Sequence, residues 1–321
     1  MKTFNVGYLY IVLCAMIFSF VEVALKFTGG MFHPMQITVL RFLIGGAVLL
    51  PFALRSMRAH GARFTRADAG FFLLLGFLFV CIAMTFYQLA VVHAPASVVA
   101  VLFSCNPIFI TVLAGLILRE PIRKNHVLAL CLEALAVFII VDPLHARLDS
   151  RGVVFALLSA ALFALYSVFG KKRSARFGGI AVTSLCSLFG GTEMLLLLLL
   201  GHTGAGRALY GALGLTIYAD VPILSTLTAR SLPWLLYLGA INTGLGFVFH
   251  MLAMEKTSAQ TASLIFFLKP MLAPLFALAF IHEEIRLNMW LGILCFLIGS
   301  GIAILPGVIE SHKAAKKVSV S

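Results

Sequence analysis

Residues 71–128, FFLLLGFLFVCIAMTFYQLAVVHAPASVVAVLFSCNPIFITVLAGLILREPIRKNHVL, align without a gap to residues 234–291, WLLYLGAINTGLGFVFHMLAMEKTSAQTASLIFFLKPMLAPLFALAFIHEEIRLNMWL. Fifteen of the 58 pairs are identical. Apolar composition alone does not account for the non-apolar matches among them: Gly76/Gly239, Pro107/Pro270, Glu120/Glu283, Arg123/Arg286 and Asn125/Asn288. A second gapless alignment, offset by 145 instead of 163, sets residues 7–55 against 152–200. It matches Gly7/Gly152, Phe18/Phe163, Lys26/Lys171, Thr38/Thr183 and Gly45-Gly46/Gly190-Gly191. The chain is a duplication, and internal repeats of this size in an apolar chain point to a transporter.

Composition fixes the solvent. The chain is 61% hydrophobic and only 11% charged, against about 25% charged in an ordinary soluble domain, so it belongs in lipid. Ten apolar runs approach the roughly 20 residues that a helix needs to cross the hydrocarbon core: 7–27, 34–54, 70–91, 97–118, 125–141, 152–170, 180–200, 232–254, 259–280 and 288–308. The fold class expected is an all-α polytopic membrane protein. The net charge of +12 sits in short loops, where basic residues orient the chain, and is not read as a nucleic-acid surface. With the N-terminus inside, sixteen Lys and Arg fall in inside segments and six in outside ones, with Arg41 and Lys269 left within runs. Both termini are therefore expected in the cytoplasm, with the protein in the cytoplasmic membrane. Five helices per copy is an odd number, so the second copy enters from the opposite face and the repeats are inverted.

The boundaries read as 1–148 for the first repeat, 149–310 for the second and 311–321 for a basic cytoplasmic tail. The change in offset places an 18-residue insertion within 201–231, expected as an outside loop on the membrane surface. The N-terminal run is too long for a signal peptide, contains Glu22 and lacks a small-x-small cleavage site, so it is read as the first span. All six cysteines lie within apolar runs with no C-x-x-C spacing, which suggests neither disulfides nor a thiolate metal site. No phosphate-binding G-x-x-x-x-G-K-[ST], no G-x-S-x-G and no H-E-x-x-H is present. No cofactor, metal or catalytic residue is expected.

Polar residues inside the runs are the candidate site. Lys269 stands near the bilayer midplane, where a cation costs about 2.5–3.5 kcal/mol on insertion scales; a substrate contact, a structural ion pair or a neutral amine would each answer that cost. A protonated Lys269 favours an anionic or zwitterionic substrate. Glu22 and Arg41 have similar depths and could pair, and Lys26 one turn from Glu22 is an alternative partner. Glu22 is a candidate for substrate or proton binding, and Arg41 for a structural ion pair. Pro107 and Pro270, at equivalent positions, predict two kinked helices lining a central cavity. Asn106 precedes Pro107 as Lys269 precedes Pro270. Tyr87 and His250 occupy equivalent positions and could line the path, and Phe103 and Phe266 could stack on a substrate. Glu133, Glu193 and Asn242 carry less weight. The Glu120 and Glu283 ends read most simply as helix-terminal structure.

Pro34 followed by Arg41-Phe42-Leu43, Asn106-Pro107 to Glu120-Pro121, and Lys269-Pro270 to Glu283-Glu284 resemble the EamA-type branch of the drug/metabolite transporter superfamily over nearly the whole chain. The resemblance implies ten helices as two inverted five-helix repeats around a central cavity, and alternating access. It also implies movement of amino acids, other metabolites or toxic compounds, with many members acting as exporters. The expected function is thus a secondary transporter exporting a small polar or amphipathic metabolite, with protons as a candidate coupling ion. A non-transporting scaffold or ligand-sensing subunit is the alternative.

Overall fold

The computed structural model describes residues 6–121, 124–142, 149–299 and 301–302. Its elements are helices; the single β-type contact among the described residues is an isolated bridge between Gly29 and Phe32. Seven helices are long and apolar enough to cross a membrane: α1 (Val6–Phe27), α2 (Pro34–Ala59), α3 (Arg66–His93), α4 (Ala96–Leu118), α6 (Ser150–Phe177), α7 (Gly179–Gly201) and α8 (Leu232–Lys256). Three shorter apolar helices complete the set: α5 (Lys124–Val141), α9 (Ile265–Ile281) and α10 (Leu287–Gly299). The surface is as apolar as lipid requires: Leu116 and Leu287 are each 74% exposed, which in water would be a large unfavourable patch. The expected tail at 311–321 lies outside the described residues, as does Arg123.

Local chemistry starts the helices. Pro34 opens α2 where a missing N–H costs nothing, and His33 and Gln36 form a reciprocal capping box around it. The Met35 N–H donates to His33 Nδ1 at 3.2 Å, and burial lowers the imidazole pKa and so favours the neutral form that accepts this bond. Thr65 and Asp68 cap α3 in the same way. Asp68 also receives Arg173 at 3.2 Å and Arg176 at 2.9 Å from the polar end of α6, tying the α2–α3 connection to the second repeat.

The duplicated glycines form the seam between the copies. A Cβ on Gly190 of α7 would overlap the carbonyl oxygen of Gly76 in α3, and a Cβ on Gly45 of α2 would come within 2.8 Å of the Gly239 carbonyl oxygen in α8. By the two repeat offsets these are the same contact made twice. The α2–α7 interface repeats itself too: Gly46 faces Leu188, and Gly191 faces Leu43. Without side chains at these points the backbones approach closely, which is how helices associate in lipid. Both α3 and α8 pass into wide π-helical turns at this level, Phe77–Ala83 and Tyr237–Gly246.

The insertion is more than a surface loop. It forms a nine-residue helix, Gly204–Ala212, and a 3-10 turn, Thr216–Tyr218. Tyr218 is buried, with its hydroxyl 2.8 Å from Thr85 Oγ1 and donating to the Cys81 carbonyl at 3.0 Å in α3. Gln36 Nε2 of α2 donates to the Ile223 carbonyl at 3.0 Å and to Thr226 Oγ1 at 2.6 Å. The segment thus covers one end of α2, α3 and α7.

Candidate functional site

Breaks in two helices prepare the site. α1 is interrupted at Phe20, between helical segments Val6–Ser19 and Val21–Phe27, and Glu22 follows directly. α4 is interrupted at Ser104-Cys105, where tight bonds run from Cys105 N–H to the Leu102 carbonyl (3.1 Å) and from Ile108 N–H to the Cys105 carbonyl (3.0 Å). Pro107 falls in the first turn of the segment that restarts at Asn106, where its missing N–H is tolerated. The symmetry of the prolines is not kept in the backbone. Pro270 and Pro274 lie inside the continuous α9, and the turn that precedes α9, Ser263-Leu264, comes six residues before Pro270.

Glu22, Lys269 and Arg41 are each only 1% exposed. Lys269 Nζ forms an ion pair with Glu22 Oε1, joining α9 to α1. The Tyr87 hydroxyl of α3 donates to the same oxygen at 2.6 Å. The ammonium also stands 4.9 Å from the Phe103 ring centroid and 5.7 Å from that of Tyr87, within cation–π range. Glu22 Oε2 makes no protein hydrogen bond.

Arg41 differs from its sequence expectation. No carboxylate of the described residues lies within 4.0 Å of it. Its Nη2 faces Met84 Sδ at 3.4 Å, its Cζ lies 4.9 Å from the Phe42 ring centroid, and its Nε has no hydrogen-bond partner. The expected Glu22–Arg41 pair is therefore replaced by Glu22–Lys269, and the local Glu22–Lys26 bridge does not form. Lys269 brings a compact head on a long stem from α9 to Glu22.

Arg41, Tyr87, Phe103 and Lys269 line a cavity together with Phe18, Val21, Met84, Phe163, Asn242 and Phe247. Its volume is about 20 Å³, room for about one water molecule. Formal charges of the cluster sum to +1, because Glu22 cancels one of the two cations. The lining follows the duplication: Phe18 and Phe163 are repeat mates, as are Met84 and Phe247. Phe18/Phe163 was legible as a duplicated identity, while Met84, Val21 and Phe247 carried no polar signal and were missed.

Charge, by contrast, is carried by one member of each repeat pair only. The repeat mates of Glu22, Tyr87 and Lys269 are Ser167, His250 and Asn106. Ser167 Oγ lies 3.0 Å from His250 Nε2, the neutral echo of Glu22 with Tyr87. Asn106 Nδ2 donates to the Ala160 carbonyl at 2.6 Å and holds the break in α4 against α6. Asn106, His250 and Phe266 are fully buried but do not line the cavity; Phe266 backs it through ring contacts with Phe103 at 6.0 Å and Phe163 at 5.8 Å. The Glu133 side chain lies outside the described residues, and Glu193 Oε2 has no partner. No three His, Cys, Asp or Glu among the described residues gather as metal ligands would.

The EamA-like transporter family matches residues 5–142 and 150–305. An "Uncharacterized transporter" of Clostridium kluyveri is 33% identical over 302 residues, covering 92% of this chain and 91% of its own length. The S-adenosylmethionine uptake transporter of Rickettsia prowazekii is 24% identical over 195 residues, 59% of this chain and 65% of its own. A crystal structure that covers 94% of this chain and 96% of its own shares the fold, with a TM-score of 0.68 at 19% identity.

Proposed function

The chain belongs to the EamA-like transporter family, and from that premise we propose that it is a secondary transporter exporting a small metabolite with an anionic or zwitterionic group from the cytoplasm. It does so by alternating access, through ten helices arranged as two inverted five-helix repeats with both termini cytoplasmic. The observation that carries this reading is the buried cluster of Glu22, Lys269 and Arg41 at the cavity between the repeats, in which no carboxylate of the described residues comes within 4.0 Å of Arg41. A buried guanidinium is costly unless paired, and an anionic substrate group supplies the missing partner. Phe18, Phe103, Phe163 and Phe247 would pack against the apolar part of the same molecule. With about 20 Å³ of space, the cavity must widen before a metabolite enters. Glu22, released from Lys269, is the group that would take a proton.

A scaffold or ligand-sensing subunit needs no buried cation beside a cavity between two repeats, which favours transport. The rickettsial relatives are named as uptake proteins, so direction is part of the test. Purified protein in liposomes preloaded with unlabelled amino acids, keto acids or other organic anions should accumulate the labelled counterpart by counterflow. Cells lacking the protein should retain more of the same compound. Absence of counterflow across such a panel by folded protein would overturn the reading, and faster loss from deletion cells would reverse the direction.

A further inference from the structure

The paired ends Glu120 and Glu283, which the substrate site does not use, make reciprocal contacts across the duplication. Both follow a residue in the left-handed region, Arg119 (φ 57°) and His282 (φ 52°). Both N–H groups bond back six residues, Glu120 to Ala114 and Glu283 to Ala277, each at 3.2 Å. This turn aims each carboxylate at the other repeat. Glu283, after α9, accepts from the Ala96 N–H at 3.0 Å, the Ser97 N–H at 3.1 Å and the Ser97 hydroxyl, all at the start of α4. Glu120, after α4, accepts from the Ala259 N–H at 3.3 Å, at the start of the short helix Ala259–Ala262 that precedes α9, and from Lys171 Nζ of α6 at 2.9 Å. Ala96 and Ala259 are repeat mates. The antiparallel helices α4 and α9 are thus tied at both ends, which lie about 34 Å apart for 23 residues at ~1.5 Å each.

The two ties are built from different bonds. Glu283 rests on neutral donors at a helix N-terminus, where a carboxylate is favoured. Glu120 depends on a lysine; Lys26, the repeat mate of that lysine, does not come within 4.0 Å of Glu283. The cavity that Phe103 of α4 and Lys269 of α9 help to line, with room for about one water molecule, lies along the same two helices.

We propose that Glu120 and Glu283 are latches on opposite ends of the transport path: release of either frees α4 from α9 at that end while the other stays shut. They act as positioning residues, and the assignment rests on the alternating-access reading above. Each carboxylate forms charge-assisted hydrogen bonds, so its loss shifts the balance toward the state open at its own end on the order of tenfold.

Spin labels read this directly. One pair at the exposed positions Val92 and Leu278 reports the Glu283 end, and one at Leu116 and Lys256 reports the Glu120 end. Glu283→Gln should add a longer distance at the first pair alone, and Glu120→Gln at the second pair alone. Ser97→Ala and Lys171→Met remove a donor and leave the carboxylate in place, so they give the same two directions should either Gln variant fail to fold. A structural role without gating moves neither pair or loosens both together in every variant, and either result overturns the proposal. The distances are independent of turnover: opposite shifts without counterflow would leave the latches standing and remove the transporter reading, and counterflow without opposite shifts would do the reverse.

Discussion

Lys269→Met converts the most expensive contact in the protein into a measurement. The substitution preserves chain length and removes the ammonium, leaving Glu22 Oε1 with the Tyr87 hydroxyl at 2.6 Å and Oε2 with no protein partner. Breaking one side of a buried ion pair costs about 3–5 kcal/mol. That cost falls on Glu22, which stays buried without its cation. Glu22→Gln with Lys269→Met removes both charges and should return stability to within about 1 kcal/mol of the parent. Thermal unfolding in detergent at pH 7, followed by size-exclusion chromatography, gives the ranking: parent and double variant together, Lys269→Met below them. A single variant as stable as the parent at pH 7, or a double variant no better than the single, would refute the buried pair. The folded double variant then tests function separately, since it should transport poorly with its fold intact.

Further substitutions probe the other contacts. Arg41→Met should leave the protein at least as stable, because no carboxylate is stranded, and yet lower counterflow by tenfold or more, as roughly 1.4 kcal/mol of lost substrate binding would; normal counterflow would remove Arg41 from the site. Gly190→Ala should cost about 1–3 kcal/mol by forcing a Cβ into the Gly76 backbone, whereas Gly70→Ala, with nothing within 4 Å, should stabilise by about 0.5–1 kcal/mol; equal melting shifts would undo the close approach. The His33 cap accepts a proton bond only when neutral, and burial lowers its pKa, so its contribution is present at neutral pH and lost as the pH falls through that depressed value; His33→Asn should remove this acid sensitivity from the melting curve. Cysteine labelling of intact cells should find position 215 accessible and position 60 protected; both on one face would break the inverted arrangement.

The sequence by itself determined the duplication, the apolar runs and the residues whose burial is costly. Gly45, Gly76, Gly190 and Gly239 announced themselves by recurring at fixed offsets, and they are the points where the two copies touch. Glu22, Arg41 and Lys269 stood out because charge in hydrocarbon demands a reason. Which of them pair was decided by the tertiary structure alone. Pairing depends on the rotation of each helix about its axis and on its breaks, and a helix apolar nearly all round carries little periodic signal to fix that rotation. Thus the interruption at Phe20 and the packing of α1 on α9 gave Glu22 to Lys269, leaving Arg41 to Met84 and Phe42. For the same reason equal prolines gave unequal helices: Asn106 has the Ala160 carbonyl to hold a break open, while Lys269 is drawn to Glu22 from an unbroken turn. The insertion was visible as a shift in register, but its docking through Tyr218 and Gln36 required partners from α3 and Thr226 that no local pattern specifies.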